Sequence, residues 1–153
     1  MGFTIYSQRD LRWASRKIGQ SDLTIGRWGC CLSSICMIGS YFGEEITPLQ
    51  FAANANNFNK EGLVTWSNLK FNKMKFDRRS YLAGDSDIKR AISDPDRAVI
   101  LQVNDGQHWL VAIRATFWGN DFVCADPFTG KKCLSKRDYH NISGCAFFSR
   151  KTV

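Results

Sequence analysis

The sequence predicts an α+β domain, with helices in the first half and an antiparallel set of strands in the second. Three observations carry that expectation. Apolar residues recur at helical spacing through Cys30–Phe42, the period changes to strand-like runs after Ala98, and turn residues separate those runs. No internal repeat, low-complexity segment or linker interrupts the 153 residues, so a single domain over 1–153 is expected.

Each element has a local reason. Gly29 precedes the apolar run, whose Leu32, Ile35, Cys36, Ile38, Tyr41 and Phe42 suit a largely buried helix, and Gly43 sits where a C-terminal cap belongs. Thr47-Pro48-Leu49-Gln50 reads as a capping box with proline at the first helical position, so a helix from about Pro48 to Asn56 follows. Two shorter helices are expected, at Thr65–Phe71 and at Ser86–Ser93; Asp85 or Ser86 caps the second and Asp94-Pro95 stops it. Ala98–Val103, His108–Ile113, Asp121–Ala125 and Gly144–Phe148 read as strands, with Asn104-Asp105-Gly106 turning between the first two.

Composition narrows the function classes. Apolar residues make up 44% of the chain, enough for a real core without disulfides. No run approaches the roughly 18 apolar residues of a membrane helix. The chain is polar by its seventh residue and has no apolar leader core, so no secretory signal is expected; Tyr6 spoils the myristoylation pattern that Gly2 would open. Lys and Arg number 21 against 14 Asp and Glu, a net charge of +7 that suits an anionic neighbour. The basic residues are scattered, with only pairs such as Arg78-Arg79 and Lys131-Lys132, so nucleic-acid binding is not expected and a soluble basic surface accounts for the charge equally well. The six cysteines include no Cys-x-x-Cys, and His108 and His140 lack zinc-finger spacing, so neither a metal nor a disulfide framework is indicated. Most of these cysteines read as small buried hydrophobes.

Cys30 differs from them in context. A thiol at a helix start meets the positive end of the helix dipole and unpaired N–H groups, which favour a thiolate and can also stabilise an oxyanion. Gly29 lets the backbone turn tightly and keeps the sulfur accessible. His108 opens a strand behind a turn, and a base for Cys30 must come within about 3 Å of the sulfur and be oriented by a third group. Asp126, 18 residues after His108, is the candidate orienter, although an Asp before Pro127 is also a common turn residue. Two registers are open. If 115–120 is an open loop, Arg114 faces Asp121 and Trp109 faces Asp126, beside His108. A tight turn at Gly119-Asn120 instead sets Asp126 opposite Ile113, roughly 15 Å from His108 at about 3.4 Å per residue. In the open register Phe117 and Trp118 become a substrate wall.

The chain resembles the C39-like branch of papain-fold cysteine peptidases, especially small bacteriophage members, over nearly its whole length. The resemblance rests on Gln8-Arg9-Asp10 with Trp13, Thr24-Ile25-Gly26, Gly29-Cys30 with Ser34 and Met37, Tyr41-Phe42-Gly43 with Thr47-Pro48, Gly62-Leu63-Val64 with Trp66, His108-Trp109, and Asp126-Pro127 with Gly130. It implies a papain-like fold, N-terminal helices on a C-terminal antiparallel sheet, and a catalytic triad falling on Cys30, His108 and Asp126. The family spacing favours the open loop, and its Gly-Cys pairing favours Cys30 over Cys31, which would point roughly 100° further round the helix. Many relatives carry a Gln about six residues before the nucleophile. Thr24 stands there in this chain, and Gln8 and Gln20 do not match the position, so the oxyanion donor is unassigned.

The expectation is therefore a thiol hydrolase that cleaves a peptide or amide bond through an acyl-enzyme and needs no cofactor. By resemblance its substrate is bacterial peptidoglycan and its site of action the cell wall, after cytoplasmic synthesis in an infected bacterium or carriage in a virion. Two other classes stay open: a virion structural or binding protein that keeps a papain-like shell without turnover, and a peptidase that processes a leader or viral polyprotein.

Overall fold

The computed structural model describes residues 2–82 and 84–152. Its helices are α1 (Ile25–Trp28), α2 (Cys30–Phe42), α3 (Pro48–Ala53), α4 (Asp85–Ile92) and α5 (Ser135–Tyr139). Its strands are β1 (Met74–Ser80), β2 (Arg97–Val103), β3 (His108–Ala115), β4 (Phe122–Asp126), β5 (Lys131–Leu134) and β6 (Gly144–Arg150). The six strands form one antiparallel sheet in the order β1-β6-β2-β3-β4-β5. An α+β architecture is thus observed. Among the described residues no helix is long and apolar enough to cross a membrane.

Strand alternation divides the apolar side chains between two cores. On one face, Ala98, Ile100, Trp109, Val111, Ala125, Ala146 and Phe148 pack with Ile35, Met37 and Ile38 of α2 and with Phe51 of α3. On the other, Val99, Leu101, Leu110, Ala112, Phe122, Cys124 and Phe147 pack with Ile88 and Ala91 of α4. The sequence order of helices before strands suggests one helical layer. The sheet is covered on both faces instead, because α4 lies between β1 and β2 in the chain and packs on β2 and β3 from the second side.

Local chemistry matches most of the expected boundaries. Thr47 Oγ1 accepts from the Gln50 N–H and the Gln50 side chain accepts from the Thr47 N–H, closing the capping box at Pro48. Gly43 ends α2 at a φ of 87°, where a Cβ would be strained. The helix expected at Pro48–Asn56 breaks after Ala53 into a 3-10 turn at Ala55–Asn57, because Asn54 leaves the helical backbone and its side chain accepts from the Asn56 N–H. Thr65–Phe71 holds only a 3-10 turn at Trp66–Asn68. The helix expected at Ser86–Ser93 runs instead from Asp85, with Gly84 as its uncapped N-cap.

The connection between β3 and β4 spans 116–121 and is closed by its backbone. Thr116 N–H donates to Asp121 O at 2.9 Å and Gly119 N–H to Thr116 O at 2.8 Å. The turn therefore lies at Thr116–Gly119, and neither the open loop nor the tight Gly119-Asn120 turn forms. The ladder is not the expected open register either. Ala115 pairs with Phe122 and Arg114 with Val123, whereas Ala112 pairs with Cys124 and Val111 with Ala125. Ile113 is the extra residue of a bulge between these two sets. Trp109 therefore does not face Asp126, and a residue facing Trp109 would have pointed away from His108.

Candidate active site

Cys30 is the first residue of α2, where the sequence leads one to expect it, but a single helical turn, α1, runs up to Gly29. Gly29 has a reason in space: a Cβ there would meet the Ile25 carbonyl oxygen at 2.5 Å and the Ile25 side chain at 2.7 Å. Only glycine lets α1 fold this tightly against the start of α2, and that fold brings Cys30 to the wall of a cleft. The cleft has a volume of about 1010 Å³, and Cys30 and His108 both line it.

His108 enters the cleft as the first residue of β3, carried by the turn at Asn104 and Asp105, both at a φ of 54°. Its Nε2 lies 2.9 Å from Asp126 Oδ1, and both residues are buried. Asp126 has further donors. Its Oδ1 accepts from the Phe128 N–H at 2.8 Å, and its Oδ2 accepts from the Tyr139 hydroxyl. Three donors thus fix the carboxylate. The Tyr139 ring lies 4.7 Å from the imidazole, between centroids, and braces it from α5. With Nε2 engaged by Asp126, Nδ1 is the ring nitrogen left for Cys30.

Charge follows this geometry. Burial by itself pulls the His108 imidazolium down, but the hydrogen bond to Asp126 and the adjoining Cys30 outweigh it and push His108 up to about 9. Burial pushes the Asp126 carboxyl up, and its bonds to His108, Tyr139 and Phe128 more than reverse this and hold it below the usual carboxylate range. Burial, then the bond to the Asp126 carboxylate, pushes the Tyr139 hydroxyl up, so it stays a donor.

Gln8 is tied to the same region. Its N–H donates to Pro127 O at 2.8 Å, which ties it to the Asp126 turn, and its side chain lines the cleft with Cys30. The side chain is almost fully buried. Nε2 donates one hydrogen bond to Gly26 O at 3.2 Å, and Oε1 has no partner among the described residues. The second Nε2–H has no partner among the described residues.

Comparison with protein-family models, curated proteins and solved structures finds no match to this chain.

The geometry brings Cys30, His108 and Asp126 to one end of the sheet; Tyr139, not singled out from the sequence, joins them, and so does Gln8, which the sequence sets aside as an oxyanion donor because of its position. His140, the other histidine, is exposed and does not line the cleft. The expected wall at Phe117 and Trp118 is also displaced. Both are exposed, Phe117 completely, but they sit at the far end of the β3–β4 pair, beyond Ala115 and Phe122, and the cleft is walled by Trp28, Trp66, Tyr81, Trp109 and Phe128. Among the described residues no three His, Cys, Asp or Glu side chains converge as a metal would require, and the six cysteines are free thiols. Chemically, the arrangement offers a sulfur nucleophile, an oriented imidazole and an amide donor around one opening.

Proposed function

We propose that this chain is a papain-like cysteine peptidase or amidohydrolase of the C39-like kind. The observation that carries the reading is the 2.9 Å contact from His108 Nε2 to Asp126 Oδ1 in a ring that shares its cleft with Cys30. The Cys30 sulfur attacks the carbonyl carbon of a peptide or amide bond, and Gln8 Nε2–H donates to the oxygen as it gains charge. His108 holds the thiol proton, and with its pKa at about 9 it keeps that proton at neutral pH until the carbon–nitrogen bond breaks. The proton then passes to the leaving amine. Water adds to the thioester, His108 takes a proton from the water, the carbon–sulfur bond breaks, and that proton returns to the sulfur. Asp126 keeps the ring in its tautomer and orientation throughout.

The substrate proposed is a peptide bond of bacterial peptidoglycan, on the likeness to small phage peptidases and on the net charge of +7, which favours an anionic wall. The test is release of new amino groups from purified cell walls by the wild type, Cys30→Ala and His108→Ala. Release by the wild type alone supports the reading. Cleavage of denatured protein with intact walls would move the substrate to a processing role, and no Cys30-dependent hydrolysis of either would overturn the enzyme assignment.

A further inference from the structure

The cleft carries a second built feature, apart from the sulfur, imidazole and carboxylate. Arg79 of β1 lines it, and its guanidinium is held by its own strand together with β6 and β2. Nη1 donates to Ser80 O at 2.7 Å and to Cys145 O at 3.2 Å, and Nη2 donates to Gln102 Oε1. Gln102 is itself anchored, its Nε2 donating to Gly106 O at 2.8 Å. The Tyr81 and Trp109 rings lie against the guanidinium carbon at 4.2 and 4.7 Å from their centroids. Gly144 leaves the space this requires: a Cβ there would stand 2.7 Å from Arg79 Nη1.

These bonds use three of the five guanidinium N–H groups. Among the described residues the Nε–H and one Nη2–H have no partner, and two such donors in one plane match the two oxygens of a carboxylate. Arg79 lines the same cleft as Cys30 and Cys31. The ionic lining favours an anion. Arg27, Arg79 and His108 line the cleft, and among the described residues no Asp or Glu does.

We infer that Arg79 is a specificity-determining residue that binds a carboxylate of the peptide substrate, next to the bond presented to Cys30. The inference rests on the hydrolase reading for the reaction but not for the binding. The carboxylate belongs either to an acidic side chain or to a free chain end, and Arg79 recognises the same two oxygens in both.

Binding is measured without turnover, in the full chain carrying Cys30→Ala, by NMR titration of backbone amides and of the Arg79 Nε–H. The probes are acetyl-Ala-Glu-Ala-amide against acetyl-Ala-Gln-Ala-amide, and acetyl-Ala-Ala-Ala as free acid against its amide. At least one acid should bind about tenfold more tightly than its neutral counterpart and shift the Arg79 Nε–H. The pair that shows the preference identifies the source of the carboxylate. Arg79→Gln in the same background should remove the preference, and because the comparison of acid with amide needs no change at Arg79, the outcome does not depend on that variant folding. Equal binding of acid and neutral probes, no saturable binding of either acid, or an Arg79 Nε–H that stays unmoved overturns the inference. Hydrolysis by the wild type with no acid preference would sink this inference alone. Acid preference without Cys30-dependent hydrolysis would sink the enzyme reading alone.

Discussion

Asp126 shares a face of the sheet with His108, its Oδ1 2.9 Å from the ring Nε2, because Ile113 is an extra residue in β3. Residues opposed across an antiparallel pair point to the same side. The ladder from Ala112–Cys124 and Val111–Ala125 sets His108, Leu110 and Ala112 on the side of Cys124 and Asp126. Continued without a bulge, the pairing of Ala115 with Phe122 would put Asp126 opposite Val111, on the face away from His108.

That relationship predicts opposite results for two single-residue changes in β3. Deleting Ile113 straightens the strand but keeps every pair on either side of it, so the protected ring N–H signal of the His108–Asp126 bond should survive in proton NMR. Inserting one glycine after Trp109 reverses the face of His108 and should abolish that signal. If both variants keep it, or both lose it, the bulge does not set the alignment.

Cys30 should alkylate before the other five cysteines at neutral pH. Burial pushes the Cys31 and Cys124 thiols well up and raises Cys36, while Cys133 reaches about 12 and Cys145 about 11, which leaves little thiolate on any of them. Cys30 lines the cleft beside His108. Peptide mapping after brief iodoacetamide treatment reads the order, and label centred on Cys31 would reverse the assignment.

Gln8 and Tyr139 should separate kinetically from the nucleophile. Gln8→Ala removes the side-chain oxyanion donor and should lower kcat about 100-fold with little change in KM. Tyr139→Phe deletes one of the three donors to Asp126 and should cost about tenfold in kcat, while the Asp126 pKa rises. A Gln8→Ala effect confined to KM would mean that Gln8 binds the ground state.

Much of this site is legible in the sequence. Gly29-Cys30 before an apolar helix and His108 at the mouth of a strand are local signals, and the strand and helix start stand where those signals put them. What was not legible is non-local. Gln8 enters the site through a hydrogen bond to Pro127, over a hundred residues along the chain. Tyr139 ends a helix whose Ser135-Lys136-Arg137-Asp138 shows no apolar period. Both edge strands also lack a local signal. Lys75, Asp77, Arg78 and Arg79 in β1 and Lys131-Lys132 in β5 break the alternation, since edges carry charge where central strands carry Val and Ile.

Stability should depend on pH through His108. Its folded pKa of about 9 lies above the ordinary 6.5, so the folded state binds the second proton more tightly than the unfolded chain does. The stabilisation is therefore fully present below about 6.5 and is lost as pH rises through about 9. Denaturant midpoints should fall across this window in the wild type and fall less in His108→Gln.

The claim that Cys30, His108 and Asp126 form one acid–base unit is tested most directly by titrating His108 by NMR in the wild type, Cys30→Ala and Asp126→Asn. Each partner holds the ring's second proton, so the pKa should stand at about 9 in the wild type and fall in both variants. A His108 pKa that stays at its wild-type value in Cys30→Ala would show that the sulfur and the imidazole do not act on each other, and would contradict the account.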